Sequence, residues 1–460
     1  MSRSAHRFLS KKKQVAGMAV GAIAMLAVAV PALTQEAPSR DEVFKVTTAI
    51  QAGANPLVSF DISWFDPDPT INRYFLADRS NNQIDVVNPS DNSITHIAQG
   101  IFAGVQPPPP APTNNTISGP DGVLTVHQEK SGVTELWVGD SPGKVWVLNA
   151  VTGANILGDG NFINVGGTHR ADELCFDSKD HLIMIATPDE DPPFVTFIST
   201  ETHKVVQPGG RLVFDGGDPV MGLKATNGLE QCGWSPKTGL FYQNVPEVSG
   251  PGDDTAPGAV AVIDPKTLTV VNSFPVSIDD CAGPQGMAIG PHNQILLGCN
   301  AASPDGHRNT VIINANSGAV LRTFADLGGA DEVWCNDGDG HYFIPSCNTE
   351  CRAGTGEELL GVIDSNGHRL DHSVVLAKQL GTGTGRRTHS VAADPNTKQV
   401  YVPIPANAGG ATGNDASICD NAPTKVGSPS ASTGCIAVFA TTNNDLSSVA
   451  QERAADAHQE

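Results

Sequence analysis

Short apolar runs, each preceded by a polar side chain and followed by a turn, recur seven times along this chain. The recurring segment is clearest at residues 283–290, Gly-Pro-Gln-Gly-Met-Ala-Ile-Gly. Its polar position, which we call the ring position, is filled in successive repeats by Asp61, Asp121, Asp172, Glu230, Gln285, Asp331 and His389. A period of about 50 residues made of short strand-like segments is typical of β-propellers and repeat arrays.

Each repeat has room for four short strands. In the first repeat the pattern predicts strands at 58–65, 73–77, 83–88 and 93–98, separated by turn sequences rich in Asp, Pro, Asn and Ser. The seventh repeat lacks a fourth strand, and residues 42–49 alternate between apolar and polar as a strand does. A strand from the far end of the chain would cover two sheet edges. We therefore predict an all-β fold: a seven-bladed β-propeller with four antiparallel strands per blade, the last blade closed by an N-terminal strand.

The 460 residues would suggest two or three domains on length alone, but the repeat spans most of them. We predict one propeller at 42–441 and a polar C-terminal tail at 442–460. Residues 1–33 begin with a basic stretch from Arg3 to Lys13 and continue with an apolar one. This pattern predicts a signal peptide or an uncleaved N-terminal anchor. In either case we expect a periplasmic or secreted protein with no other membrane segment.

The formal net charge is −21. Such an acidic chain repels phosphate backbones, which disfavours a nucleic-acid partner. It suits cations and cationic or neutral ligands, although acidic composition also serves solubility alone. We expect a monomer that binds a small-molecule substrate with an acidic group, and a protein partner is the alternative.

Nine cysteines in an exported chain indicate disulfides. Their positions in the repeats predict three pairs, namely Cys281–Cys299, Cys347–Cys351 and Cys419–Cys435. Cys175, Cys232 and Cys335 lie inside apolar strand runs, and we predict buried thiols there. Residues 347–351 have the alternative of forming half of a metal site, but no second cysteine or histidine pair accompanies them.

The ring positions should meet at one mouth of the central channel. In a propeller blade the first strand lines the channel and the second is antiparallel to it. The second-strand ends therefore join the same mouth: Asp78, Asp140, Thr187, Asn244, Asn300, Ser346 and Pro403. Several carboxylates in one mouth need a counter-charge or raised pKa values. Their oxygens favour Ca²⁺ or Mg²⁺, and His389 also allows Mn²⁺ or Zn²⁺. The alternative is a structural ring that holds water and ties blades together.

Two arginines and one histidine add chemistry to this ring. Arg170 and Arg387 stand two residues before ring positions, where they would clamp an anionic substrate group or pair with the ring acids. His389 would act as a general base that activates water. The candidate catalytic residues are His389, Asp172 and Asp121, and the candidate substrate-binding residues are Arg170, Arg387, Gln285 and Asp61. The chain contains no serine-hydrolase, zincin, P-loop or haem-attachment motif.

One stretch resembles a known family. Residues 136–149, Leu-Trp-Val-Gly-Asp-Ser-Pro-Gly-Lys-Val-Trp-Val-Leu-Asn, followed by Thr152 and Gly153, are similar to a blade of the YVTN, NHL and gluconolactonase-like propellers. Proteins of the gluconolactonase-like group bind a divalent ion near the top of the channel through Glu, Asn and Asp. The resemblance implies such a site here, where the family's initial glutamate is Asp61. The matching metal ligands would be Glu230, Asn244, Asn300 and Asp331.

These observations lead to one main hypothesis and two alternatives. The main hypothesis is divalent-cation-assisted hydrolysis of a small lactone or ester at the channel mouth, with Ca²⁺ as the first candidate cation. The same base and cation would also serve a lyase or an isomerase. The third hypothesis is a non-catalytic propeller that binds a ligand or a protein, for which the long loops at 249–258 and 405–434 would build a surface.

Overall fold

The computed structural model describes residues 43–108, 113–217, 221–325, 327–347, 357–378, 388–406 and 417–441. The predicted signal segment at 1–33, the predicted tail at 442–460, Arg387 and Cys351 lie outside the described residues. Within the described ranges, no helix is long and apolar enough to cross a bilayer.

Seven antiparallel sheets follow one another along the chain, and each forms one blade. Blade 1 contains Ser63–Asp66, Arg73–Asp78, Gln83–Val87 and Ile94–Ile97. Blade 2 contains Val123–Gln128, Val133–Asp140, Lys144–Asn149 and Ile163–Asn164. Blade 3 contains Leu174–Asp177, Leu182–Thr187, Phe194–Ser199 and Lys204–Val205, and Arg211–Val213 also pairs with its third strand.

The next three blades repeat this order. Blade 4 contains Cys232–Ser235, Leu240–Val245, Gly258–Asp264 and Thr269–Val276. Blade 5 contains Pro284–Gly290, Gln294–Cys299, Thr310–Asn314 and Val320–Phe324. Blade 6 contains Trp334–Asn336, His341–Cys347, Glu357–Asp364 and Arg369–Lys378. The described helical segments are single turns at Asn115–Ile117, Ile278–Cys281, Pro291–Asn293 and Ile418–Asn421.

Blade 7 is closed by the N-terminal strand. Its strands are Ala392–Ala393, Val400–Ile404, Cys435–Thr441 and Phe44–Ile50, with Thr424–Val426 added in parallel at the edge. The closing strand is antiparallel to the third strand, with Phe44 opposite Thr441 and Ile50 opposite Ile436. The predicted seven-bladed propeller and its closure from the N-terminus are confirmed.

The core lies between the blades. Seven clusters of buried apolar side chains each join one blade to the next, including the pair formed by blades 7 and 1. The second strands are buried on both faces, as in the run from Tyr74 to Ala77. Burying one large apolar side chain completely contributes roughly 1.5–3 kcal/mol. This burial explains why the second strands appear in the sequence as continuous apolar runs.

The ring positions lie beside the second-strand ends, as the antiparallel order requires. The backbone amide of Asp61 donates to the carbonyl of Ala77, and the amide of Asp172 donates to that of Ala186, both at 2.9 Å. The amide of Glu230 donates to the carbonyl of Asn244 at 3.2 Å. We call this side of the propeller the mouth face.

Three disulfides join described cysteines. Cys281–Cys299 and Cys419–Cys435 are paired as predicted, and Cys335 is an unpaired, half-buried thiol. The prediction of free thiols at Cys175 and Cys232 is wrong, because these residues form a disulfide with their Cα atoms 5.8 Å apart. They lie on the first strands of blades 3 and 4, which are neighbours around the channel. Three disulfide bonds are typical of proteins from oxidising compartments.

Candidate functional site

A cavity of about 390 Å³ opens at the channel mouth. Its wall includes Asp61, Arg79, Arg170, Asp331 and His389, which come from four different blades. The propeller thus brings together side chains that are far apart in sequence. We call this space the mouth cavity.

Three ring aspartates form the acidic side of the mouth, and of these Asp61 lines the mouth cavity. Carboxylate oxygens of Asp61, Asp121 and Asp172 lie within 4.8 Å of one another, and all three residues are buried. Such a group has the oxygen donors that a hard cation prefers. Here, however, the guanidinium of Arg79 lies among the carboxylates and supplies a positive charge.

Arg79 is a functional residue that the sequence analysis missed. It is only 2% exposed, its Nε donates to Asp121 at 2.9 Å, and its Nη2 donates to both Asp61 and Asp121. Arg79 directly follows Asp78, the second-strand end of blade 1. A signal was present in the sequence, because it is the only charged residue that directly follows a second-strand end.

Arg170 lines the mouth cavity, but it also forms ion pairs with three aspartates. Its Nη2 lies 2.9 Å from Asp172 Oδ2, its Nη1 lies 3.3 Å from Asp61 Oδ2, and its Nε donates to Asp189 at 2.9 Å. This is the ion-pairing alternative considered from the sequence. Because all three guanidinium nitrogens have aspartate partners, Arg170 could bind a substrate anion only by giving up one of them.

These pairings set the charge of the acidic side. Burial opposes the ionisation of Asp61, but Arg79, His389 and Arg170 together hold its pKa well below the ordinary value. Burial raises the pKa of Asp172 well above its ordinary value, although Arg170 opposes the shift. Asp61 is therefore the firmly ionised carboxylate of the group.

His389 is held between an aromatic ring and a carboxylate. Its imidazole stacks on Phe60 with the ring centroids 4.6 Å apart and the planes 4° from parallel. His389 Nε2 lies 3.6 Å from Asp61 Oδ1. A carboxylate beside one ring nitrogen fixes the orientation of an imidazole. This arrangement is suited to general acid–base chemistry.

Glu230, Gln285 and Asn244 form a second group at the mouth. Gln285 Nε2 donates to Glu230 Oε1 at 3.2 Å, and Asn244 Nδ2 donates to the backbone carbonyls of Gln285 and Gly286 at 2.8 and 3.0 Å. Among the described residues, Asn244 Oδ1 and Gln285 Oε1 have no hydrogen-bond partner. Burial raises the pKa of Glu230 well above its ordinary value, and the negative charge of Asp331 adds to the shift.

The oxygen atoms of this second group are suitable ligands for a cation. Two carboxyl groups repel each other, and two amide oxygens lack a donor, so a hard cation would satisfy all four groups. Glu230, Asn244 and Asp331 belong to the predicted ligand set, whereas Gln285 was predicted to bind substrate. For Asn300, the fourth predicted ligand, the backbone amide donates to the Gly283 carbonyl at 2.8 Å.

An inner tier of polar residues follows the ring position in three blades, and the sequence analysis missed it. Glu332 accepts a hydrogen bond of 2.6 Å from Ser390, and Gln231 Oε1 accepts from the amides of Met287 and Val333. Glu173 is 5% exposed, and no hydrogen bond to its carboxyl group is found among the described residues. Burial raises the pKa values of Glu173 and Glu332, and repulsion between nearby carboxyl groups adds to both shifts.

Comparison with known proteins supports the fold. No family model matches the chain, and no curated protein matches its sequence. The structure is similar to the WD40 β-propeller domain of Doa1 at 11% identity and a TM-score of 0.50, covering 88% of this chain and 98% of that one. It is similar to Kuenenia stuttgartiensis hydrazine synthase at 13% identity and a TM-score of 0.53, covering 76% and 93%. A chain of the mitotic checkpoint complex matches at 12% identity and a TM-score of 0.50, covering 81% and 96%.

At such low identity these similarities concern the fold alone. They define the chain as a seven-bladed β-propeller with four-stranded antiparallel blades. They give no support to membership of the gluconolactonase-like group in particular.

Proposed function

We propose that the channel mouth binds a divalent cation and that the protein hydrolyses a small lactone or ester there. One observation carries the proposal. Two unpartnered amide oxygens, Asn244 Oδ1 and Gln285 Oε1, lie in the same group as the carboxyl of Glu230, at the mouth that also holds the His389–Asp61 pair. Binding groups for a cation and a candidate base thus lie at the same mouth, and Asp331 and His389 both line the mouth cavity.

Glu230, Asn244 and Asp331 would hold the cation, with Gln285 and Asn300 beside them. When bound, a divalent cation polarises a carbonyl oxygen and stabilises the negative charge that develops on it. Ca²⁺ is the first candidate because all the donors are oxygens, and Mg²⁺, Mn²⁺ and Zn²⁺ are alternatives.

The residues around His389 perform the proton transfer. His389 takes a proton from water, and Asp61 stabilises the imidazolium that results. Phe60 fixes the plane of the ring by stacking on it. Asp172 and Asp121 hold the guanidinium groups of Arg170 and Arg79 in place. The mouth cavity of about 390 Å³ is at the lower end of the usual size of ligand pockets, about 300–1,000 Å³, which suits a small substrate.

A non-catalytic binding propeller is the second candidate, and the arginines favour it. Arg79 and Arg170 neutralise the acids on one side of the mouth, as expected where charged residues tie blades together. Two structurally similar chains are a WD40 domain and a member of a checkpoint complex, so a protein partner at the mouth face is a natural alternative.

Elemental analysis and a lactone and ester panel separate the two candidates. We expect one divalent ion per chain, removed by chelator and lost in Glu230→Gln, together with hydrolysis that falls by about 10²–10⁴ in His389→Ala. Thr226→Val, on the mouth face but outside both groups, is the control and should keep the ion and the activity. A tightly bound ion without turnover of any substrate would favour the binding propeller. Absence of any bound or stabilising ion would refute the cation site.

A further inference from the structure

A second cavity lies deeper in the channel, beneath the mouth cavity. It has a volume of about 380 Å³ and shares no lining residue with the mouth cavity. Its wall is formed by the first strands of six blades, at positions that follow the ring position. We call this space the lumen cavity.

Four aromatic side chains lie in its wall. Trp64, Trp234 and Trp334 line it, and they are three of the five tryptophans of the chain. Phe176 adds a fourth aromatic ring from blade 3. All four residues are half-buried, so each keeps part of its surface accessible. Trp64 and Trp334 meet edge to face with their centroids 5.3 Å apart.

One carboxyl group belongs to this aromatic wall. Glu173 lines the lumen cavity, is 5% exposed and lacks a hydrogen-bond partner among the described residues. A buried carboxyl group without a partner is costly in a folded protein. The other polar groups of this tier, Gln231 and Glu332, already have partners.

We propose that the lumen cavity binds a small organic cation, an ammonium group carried on an apolar body. Aromatic faces carry negative electrostatic potential and attract ammonium groups, most strongly when the faces belong to tryptophan. When the cation binds, the carboxyl of Glu173 releases its proton to the solvent, supplies the counter-charge and gains the partner that it lacks. The electrostatic field of the whole protein also attracts cations, because the chain has a net charge of −21.

The size of the cavity limits the guest. A volume of about 380 Å³ is close to the lower end of ordinary ligand pockets, about 300–1,000 Å³. It fits a single ring with a substituted ammonium group and excludes a polymer or a peptide. A hydrated metal ion would not use the aromatic wall, so we assign the lumen cavity to an organic guest.

Two probes of the same shape test the charge preference. Benzyltrimethylammonium carries the cation, and neopentylbenzene is its uncharged analogue. We expect the full chain to bind the cation one-to-one and about tenfold or more tightly than the uncharged probe, measured by calorimetry and tryptophan fluorescence. The titrations contain chelator, so that the result does not depend on the cation site at the mouth.

Variants assign the binding to the lumen cavity. Glu173→Gln should reduce the affinity for the cation to that for the uncharged probe, and Glu173→Asp should keep the preference. Trp234→Leu should weaken both probes, and Trp234→Phe should weaken them less. Glu332→Gln is the matched control: it changes a buried glutamate of the same tier that does not line the cavity, and because it removes a charge that repels Glu173, the preference for the cation should not fall. Equal affinity for the two probes, failure of both to bind, or unchanged cation binding in folded Glu173→Gln would overturn the proposal.

Discussion

The backbone amide of Phe44 donates a hydrogen bond of 3.1 Å to Nε2 of His372. Phe44 begins the strand that closes blade 7, whereas His372 lies in the outer strand of blade 6. The two rings also stack with their centroids 5.9 Å apart, and the ring of Phe44 meets Phe343 edge-on at 5.1 Å. The closing strand is therefore fastened to two blades, and His372 must be unprotonated at Nε2 to accept this bond.

We expect this bond to make the closure of the ring sensitive to acid. Burial lowers the pKa of His372, and nearby His341 adds to the shift against the opposing effect of Asp371. The folded state therefore binds a proton at His372 less readily than the unfolded chain does. The contribution of this histidine to the unfolding free energy is complete above about pH 6.5 and is lost as the pH falls toward its lowered pKa.

His372→Gln separates this effect from all other titrations, because glutamine keeps an acceptor but does not titrate. Between about pH 7.5 and 5.5, the wild type should lose about 1 kcal/mol of unfolding free energy relative to this variant, which is the usual contribution of one hydrogen bond. Denaturant unfolding at each pH measures the difference. Parallel pH curves for the two proteins would show that His372 stays neutral or that its bond to Phe44 is dispensable.

The fold could be predicted because one polar position recurs ahead of each channel strand. The closure of the ring could be predicted by counting strands, because the seventh repeat has only three predicted strands and the N-terminus has one that belongs to no repeat. Boundaries were less accurate: the first strand of blade 1 was predicted at 58–65 but is Ser63–Asp66. Val58 and Ser59 instead donate their backbone amides to the hydroxyl of Ser80, in the loop after the second strand. Local alternation cannot distinguish such a segment from a strand.

The site could be predicted only as far as the repeat reaches. The ring position identified Asp61, Asp172 and His389, because symmetry places equivalent residues at one mouth. Arg79 lies outside the repeat, and its inward position depends on the acids of two blades. The Cys175–Cys232 disulfide depends on the relative height of neighbouring first strands, which one blade's sequence does not specify.

Removal of Arg79 should destabilise the propeller strongly. Arg79→Met leaves Asp61 and Asp121 buried without this counter-charge, and breaking a buried ion pair on one side costs about 3–5 kcal/mol. Arg79→Lys should lose less, because an ammonium keeps the charge but not the forked geometry. Lys130→Ala is the control, since the pair of Lys130 with Glu201 is exposed and should not contribute measurably. Equal unfolding free energies for Arg79→Met and the control would contradict this account.

The disulfide between blades should stabilise more than the short-range ones. Cys175 and Cys232 are 57 residues apart, compared with 16 for Cys419 and Cys435. In the chain-entropy model, loops of these lengths correspond to about 4 and about 3 kcal/mol. We therefore expect the double serine variant at 175 and 232 to lose about 1 kcal/mol more than the one at 419 and 435. Chemical denaturation of both variants measures the order, and a reversed order would show that local packing outweighs loop entropy.

The inner tier predicts a stability that falls as the pH rises. The pKa values of Glu173 and Glu332 lie well above the ordinary range, so the folded state keeps protons that the unfolded chain releases above about pH 4.3. Between about pH 4.3 and the raised pKa of each group, a rise of one pH unit lowers the unfolding free energy by up to about 1.4 kcal/mol per group. The double variant Glu173→Gln with Glu332→Gln should therefore lose less stability than the wild type between about pH 5 and 8.

Thermal unfolding at fixed ionic strength and with chelator measures this slope. The two single variants show which glutamate carries it, and Glu201→Gln, an exposed change, should leave the slope unchanged. Protonation of His372 destabilises the protein below about pH 6.5, so the slopes of the wild type and the variants are best compared above that pH. A wild-type slope equal to that of the double variant would mean that both glutamates are ionised in the folded state. Their charges would then need counter-ions inside the channel, since burial without compensation is not tolerated.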